Sequence, residues 1–219
     1  IGHSAFELKL ANNSILIDPF VQVNPEYNWR EANITDIFVT HAHGDHLGQA
    51  IEIAKEKDAT ITAVFELANY LREQGCKVRP VGFGSWINYE WGRVVFVPAF
   101  HSSSLPDGRY AGEPAGIIFD VENVRIYHAG DTALTSEMKT IKELYRPNIA
   151  MLPIGGNYTM DVEHAVVASE WIGAQTIIPM HYGTFPEIQA DVEKFGQLLE
   201  LNNSRCVVMN PKDNNQNQE

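Results

Sequence analysis

The stretch His41-Ala42-His43-Gly44-Asp45-His46 places four potential metal ligands within six residues, directly behind a short apolar run at 36–40 (DIFVT). Side chains at i and i+2 on an extended strand end point the same way. The imidazoles of His41 and His43 are therefore expected to converge on one cation, at about 2.0–2.1 Å from it. Asp45 and His46 fall past the turn, at the start of a helix, and are expected to face a neighbouring second cation. Gly44 is expected to let the backbone turn tightly between the two pairs. A solvated histidine-rich loop is the bland alternative. It is disfavoured because three imidazoles packed without a metal repel one another once protonated and serve no packing purpose.

A metal site needs further ligands, and three more candidates stand at strand ends. His101 closes FVPAFH, Asp131 lies in YHAGDT, and His181 closes IIPMH. Strand ends passing into loops are where a β scaffold usually carries its site.

The rest of the pattern alternates strands with helices. Short strands over 5–10 and 14–17 join at Asn12-Asn13 as a hairpin. Residues 21–34 read as a loop, with Pro25, Tyr27 and Trp29 exposed in a lid or partner-facing role. A helix is expected over 47–57, with Leu47, Ile51 and Ala54 on one face. A strand over 60–64 and a helix over 66–74, stopped by Gly75, follow. Strands come next near 77–81, 85–89 and 93–98. Pro106, Gly108, Gly112 and Pro114 make 102–114 a loop. A hairpin at 115–121 and 124–128 turns over Glu122-Asn123. Helices over 135–145, 161–172 and 188–201 then alternate with strands over 148–152, 176–180 and 205–209. Such segments suggest two packed sheets covered by helices, an α+β fold with α/β/β/α layers. Residues 1–211 read as a single domain, and 212–219 (KDNNQNQE) as a frayed polar tail.

The chain has 219 residues, 44% of them hydrophobic, enough for a well-buried core. Its formal charge is −12, which a phosphate backbone would repel, so no nucleic-acid partner is expected. Cys76 and Cys206 form no CxxC pair and read as two buried free thiols, which fits a cytoplasmic location. No apolar run reaches the ~18 residues of a membrane span. No signal peptide is visible, although the chain starts at Ile1 without a Met.

Taken in order, HAHGDH, His101, HAGDT and PMHYGTFP resemble the metallo-β-lactamase superfamily. The segments GHSAFEL, LIDPF and LPIGG are similar to its subgroup of metal-dependent hydrolases related to ascorbate-phosphate lactonases and N-acyl-phosphatidylethanolamine phospholipase D. The resemblance covers nearly the whole chain and implies a four-layer α/β/β/α sandwich, the metallo-β-lactamase fold. It also implies the ligand sets: His41, His43 and His101 on one metal, Asp45, His46 and His181 on the other, with Asp131 bridging. A diiron oxygen-reducing branch has Glu where this chain has His43, which favours hydrolysis over redox work. Homo-oligomers are common in the subgroup.

The expected activity is hydrolysis of a small ester, lactone or phosphoester by a hydroxide shared between two divalent cations. Zinc or manganese suits the mixed His/carboxylate set, and iron is compatible with it. Asp45 and Asp131 are the catalytic candidates, taking or relaying the proton. His3 stands before the first full strand and is a candidate for touching substrate or supporting a metal ligand. Asp18, in LIDP, is a candidate for orienting a ligand loop. Tyr182 is a candidate hydrogen-bond partner for substrate. His128 reads as a strand-end histidine, His164 and Arg109 as solvated side chains, and Asp161 as a helix N-cap. Two other classes compete: a non-catalytic metal-binding sensor or scaffold, and a nuclease-type phosphodiesterase. The full ligand set argues against the first, because structural zinc sites are usually closed by four ligands. The negative charge argues against the second.

Overall fold

The computed structural model describes residues 1–211, so the expected polar tail at 212–219 lies outside the described residues. The chain divides into two compact units. The first comprises Ile1–Gly82 and Ser102–Pro114, with Asn210 and Pro211. The second comprises Phe83–His101 and Ala115–Met209.

The first unit is built on a five-stranded sheet of β1 (Phe6–Lys9), β2 (Ser14–Ile17), β3 (Ile34–Phe38), β4 (Thr60–Val64) and β5 (Lys77–Val81), in sequence order across the sheet. Only β1 and β2 are antiparallel, joined as the expected hairpin; the remaining pairs are parallel. Parallel strands need crossovers, and helices supply two of them: α2 (Ala50–Lys57) packs on β3 and β4, and α3 (Phe65–Glu73) on β4 and β5. Every residue of β2 is buried, and so are four of the five in β4. Such continuous burial explains why these strands read as apolar runs rather than alternating ones.

The second unit carries a seven-stranded sheet. Strands β6 (Ile87–Tyr89), β7 (Gly92–Pro98), β8 (Ala115–Val121) and β9 (Val124–His128) form an antiparallel meander. Strands β10 (Ile149–Pro153), β11 (Thr176–Met180) and β12 (Arg205–Cys206) continue it in parallel from β9. Helices α4 (Glu137–Leu144), α5 (Val162–Ile172) and α6 (Val192–Leu201) are the connections, and α5 packs on both of the others. Asp161 caps α5 as expected, its side chain accepting the His164 backbone N–H at 2.8 Å.

Some local expectations fail for identifiable reasons. The single helix expected over 47–57 is two: α1 (Gly44–Leu47), then α2. Gly48 breaks it with φ +45° and ψ −125°. An added Cβ there would lie 2.4 Å from the Pro19 carbonyl oxygen. The Asp18–Phe20 turn thus presses onto the break, and Gln49 N–H donates to Pro19 O at 3.0 Å. Trp29 is only 5% exposed, with the Arg30 guanidinium 4.1 Å from its ring centroid, so it is a core anchor rather than part of a lid. Cys76 is buried, but Cys206 is partly exposed; both are free thiols.

Candidate metal centre

In the first unit the histidine motif runs off β3 into α1. His41 and His46 are fully buried. His41 Nε2 lies 3.0 Å from His43 Nδ1, with the two rings nearly perpendicular. Two nitrogens each ~2.05 Å from a tetrahedral ion would be about 3.3 Å apart, so this pair stands close to a metal-ready spacing. Gly44, by contrast, needs no special conformation: its φ is not positive, and a Cβ would meet nothing within 4 Å. The turn expected of it is made by helix entry, with His43 in an extended conformation at the N-cap.

Asp18 organises this cluster. It is fully buried, stands just past β2, and has φ +44°, a left-handed conformation that Asp tolerates better than most residues. Its Oδ1 accepts the Thr40 backbone N–H at 2.8 Å. Its Oδ2 accepts the Thr40 hydroxyl at 2.7 Å and faces His46 Nδ1 at 2.7 Å. A carboxylate only accepts, so His46 carries its proton on Nδ1 and keeps the Nε2 lone pair. The Thr40 hydroxyl has given its one proton to Asp18, so it accepts from His41 Nδ1 at 3.1 Å. His41 is thereby left with a lone pair on Nε2. One carboxylate thus sets the tautomers of two candidate ligands, directly and through Thr40, an arrangement typical around metal-binding imidazoles.

His3 belongs to the same unit. Its Nε2 lies 3.1 Å from Asp45 Oδ2, and His3, Asp45 and His46 each offer one ligand atom within 4.8 Å of the others.

In the second unit Asp131 follows β9 and His181 follows β11, both buried. Asp131 Oδ2 is 3.0 Å from His181 Nε2 and 3.6 Å from His101 Nε2. Thr132, to which the sequence reading gave no role, ties the His101 segment to Asp131: its hydroxyl accepts the Phe100 N–H at 3.0 Å and donates to Ala133 O at 2.8 Å. The HAGDT motif contained this signal. His181 has φ +54°, and its carbonyl oxygen would sit 2.2 Å from a Cβ on Gly155. Only glycine admits that approach, which accounts for the LPIGG segment. Tyr182 is half-buried, and burial, reinforced by Cys206, pushes its phenol above the ordinary range.

The remaining histidines stay out of these clusters. His128 is buried at the end of β9, its Nδ1 accepting the Gly130 N–H at 3.2 Å. The His164 side chain is 61% exposed, and Arg109 pairs with Asp107 at 2.8 Å on the surface.

The donor set therefore fits divalent metal: His41 and His46 carry their protons on Nδ1, and imidazoles and carboxylates, the usual ligands of such ions, cluster together. The Beta-lactamase superfamily domain profile matches residues 1–181. A UPF0173 metal-dependent hydrolase of Bacillus cereus is 44% identical over 206 residues, covering 91% of each chain. Among solved structures, Igni18, a metallo hydrolase from the archaeon Ignicoccus hospitalis, superposes with a TM-score of 0.88 at 35% identity, over 96% of this chain and 93% of that one. An isothiocyanate hydrolase from Delia radicum gut bacteria shares the fold at 18% identity, with a TM-score of 0.74 over 96% of this chain and 94% of that one. The chain belongs to the metallo-β-lactamase superfamily and has its α+β fold. Within that superfamily it is a metal-dependent hydrolase.

Proposed function

We propose that the two units act as one metallo-β-lactamase-like domain that holds two divalent cations and hydrolyses a small ester, lactone or phosphoester. His41, His43 and His101 would hold one cation, and Asp45, His46 and His181 the other, with Asp131 bridging them. Zinc and manganese suit this set best, and iron is compatible with it. The observation that carries the reading is the Asp18 network, which leaves His41 and His46 with unprotonated Nε2 atoms inside a buried cluster. A histidine pair kept for packing needs no such tautomer control.

When bound, the cations supply an acidified water and an electrophile for the substrate oxygen. The protein's own groups do the rest. The Asp45 side chain is 28% exposed, which lets it accept the proton that the attacking water gives up. Asp131 is nearly enclosed, and its Oδ2 faces the Nε2 atoms of His181 and His101. Tyr182, kept protonated by burial, can donate a hydrogen bond to a substrate oxygen. Free thiols at Cys76 and Cys206 accord with work in a reducing cytoplasm. No helix among the described residues is long and apolar enough to cross a membrane. The −12 charge favours a small-molecule substrate over nucleic acid.

The test is to strip the protein with chelator, reload it with zinc or manganese, count bound metal, and follow product release over a panel of lactones and phosphodiesters. Asp131→Ala serves as the blank. Two equivalents, turnover by the parent and none by the blank are expected. Metal at 100 times its dissociation constant should raise stability by about 2.7 kcal/mol for each site filled, over the stripped protein. One bound equivalent would sink the dinuclear reading. Full activity in Asp131→Ala would sink the bridging role.

A further inference from the structure

The segment before β1 makes a closed turn. Ala5 N–H donates to Gly2 O at 2.9 Å and Gly2 N–H to Ala5 O at 3.3 Å. Inside it His3 adopts φ +55°, uncommon for a residue with a side chain. The turn projects the imidazole into the first unit, where it is fully enclosed. Its ring stands edge-on to Phe20 and to His46, with centroids 5.8 Å away in each case. From that seat Nε2 reaches Asp45 Oδ2 at 3.1 Å, across 42 residues of sequence.

A carboxylate can only accept, so the His3 proton sits on Nε2 and is donated to Asp45. Asp45 sits on a four-residue helix, and the terminal torsion of an aspartate is broad and roughly two-fold, so a donor on one oxygen bears on its orientation. We propose that His3 is a positioning residue for Asp45: by holding Oδ2 it fixes how the carboxylate is turned toward the cation. This rests on the role given to Asp45 above.

The test uses the full chain with His3→Leu, His3→Gln, Asp45→Asn and the double variant His3→Leu/Asp45→Asn. Glutamine keeps an N–H donor near the position of Nε2, whereas leucine removes it. If leucine prevents folding, His3→Met, flexible and donor-less, replaces it. Zinc affinity is read by competition with a chromophoric chelator, folding by thermal midpoint, and activity on the best substrate of the panel. His3→Leu should still take up the parent's zinc complement at saturation, with the weaker equivalent loosened about 10–100-fold. Its kcat should fall by a similar factor while KM stays within about twofold. His3→Gln should recover most of both losses. In the Asp45→Asn background, removing His3 should change neither further.

The assignment is overturned if His3→Gln is as impaired as His3→Leu, or if His3→Leu costs as much in the Asp45→Asn background as in the parent. It is also overturned if His3→Leu and His3→Gln both lose a whole zinc equivalent, which would make His3 a ligand. A parent chain that binds no zinc would overturn the metal reading itself, a result readable before any variant is made.

Discussion

Asp18 shows how much one buried side chain can govern. Both its oxygens are committed, to the Thr40 backbone and hydroxyl and to His46. Asp18→Asn is nearly isosteric, yet it turns an amide NH2 toward groups that are themselves donors. A buried donor left without its acceptor costs about 1–3 kcal/mol. Loss of a group that orients a metal-binding histidine typically costs about 10–100-fold in metal affinity. Asp18→Asn should therefore lower both the urea midpoint of the stripped protein and its zinc affinity in chelator competition. If neither moves, Asp18 does not set the histidine tautomers. The LIDP segment marked Asp18 as a candidate. Its partners could not be read from sequence, because His46 lies 28 residues away and meets Asp18 only through strand packing.

Among the elements, the break between α1 and α2 has the clearest consequence. It seats the Asp18–Phe20 turn against the helix that carries Asp45 and His46. Gly48→Ala would put a Cβ 2.4 Å from the Pro19 carbonyl at a positive φ, and should cost more than about 2 kcal/mol. Gly44→Ala meets open space at a helical position and should stay within about 0.5 kcal/mol of the parent. Equilibrium urea unfolding of the two variants decides this; equal losses would mean that the break does not depend on Gly48. Periodicity missed the feature because Leu47, Ile51 and Ala54 continue a helical stripe across it. Apolar spacing does not say whether the backbone stays helical between its members, and α2 in fact buries Ala50, Ile53 and Ala54, with Ile51 half-buried.

For the whole molecule, pH offers a test with a defined sign. Tyr127 is fully buried in β9, and burial pushes its phenol well above the ordinary value of 10. Tyr27 is raised likewise, by burial first and then by Glu7 beside it. Above about pH 10 the unfolded chain gives up these protons while the folded chain keeps them, so the unfolded state binds fewer. Their contribution is therefore complete below about pH 10 and is lost as pH rises toward the raised folded values. Urea midpoints at about pH 9 and about pH 11 should show the fall, and Tyr127→Phe should show a smaller one. An identical fall in the variant would mean that Tyr127 carries none of the effect.

The sequence by itself determined where the candidate ligand residues fall along the chain, at the ends of strands. A strand buried in a parallel sheet reads as an apolar run, so 36–40 was legible as a strand, which the fold places at Ile34–Phe38, and the histidine motif was legible as the loop that leaves it. The same logic found Asp131 and His181 behind β9 and β11, and the cap at Asp161 followed from local hydrogen bonding. The tertiary structure alone decided which remote groups support those donors. His3 reaches Asp45, Asp18 controls His46 and His41, Thr132 ties down His101, and Trp29 turns inward. Periodicity and spacing describe neighbours along one element. Contacts between segments tens of residues apart are set by how sheets and turns pack, which the local pattern does not encode.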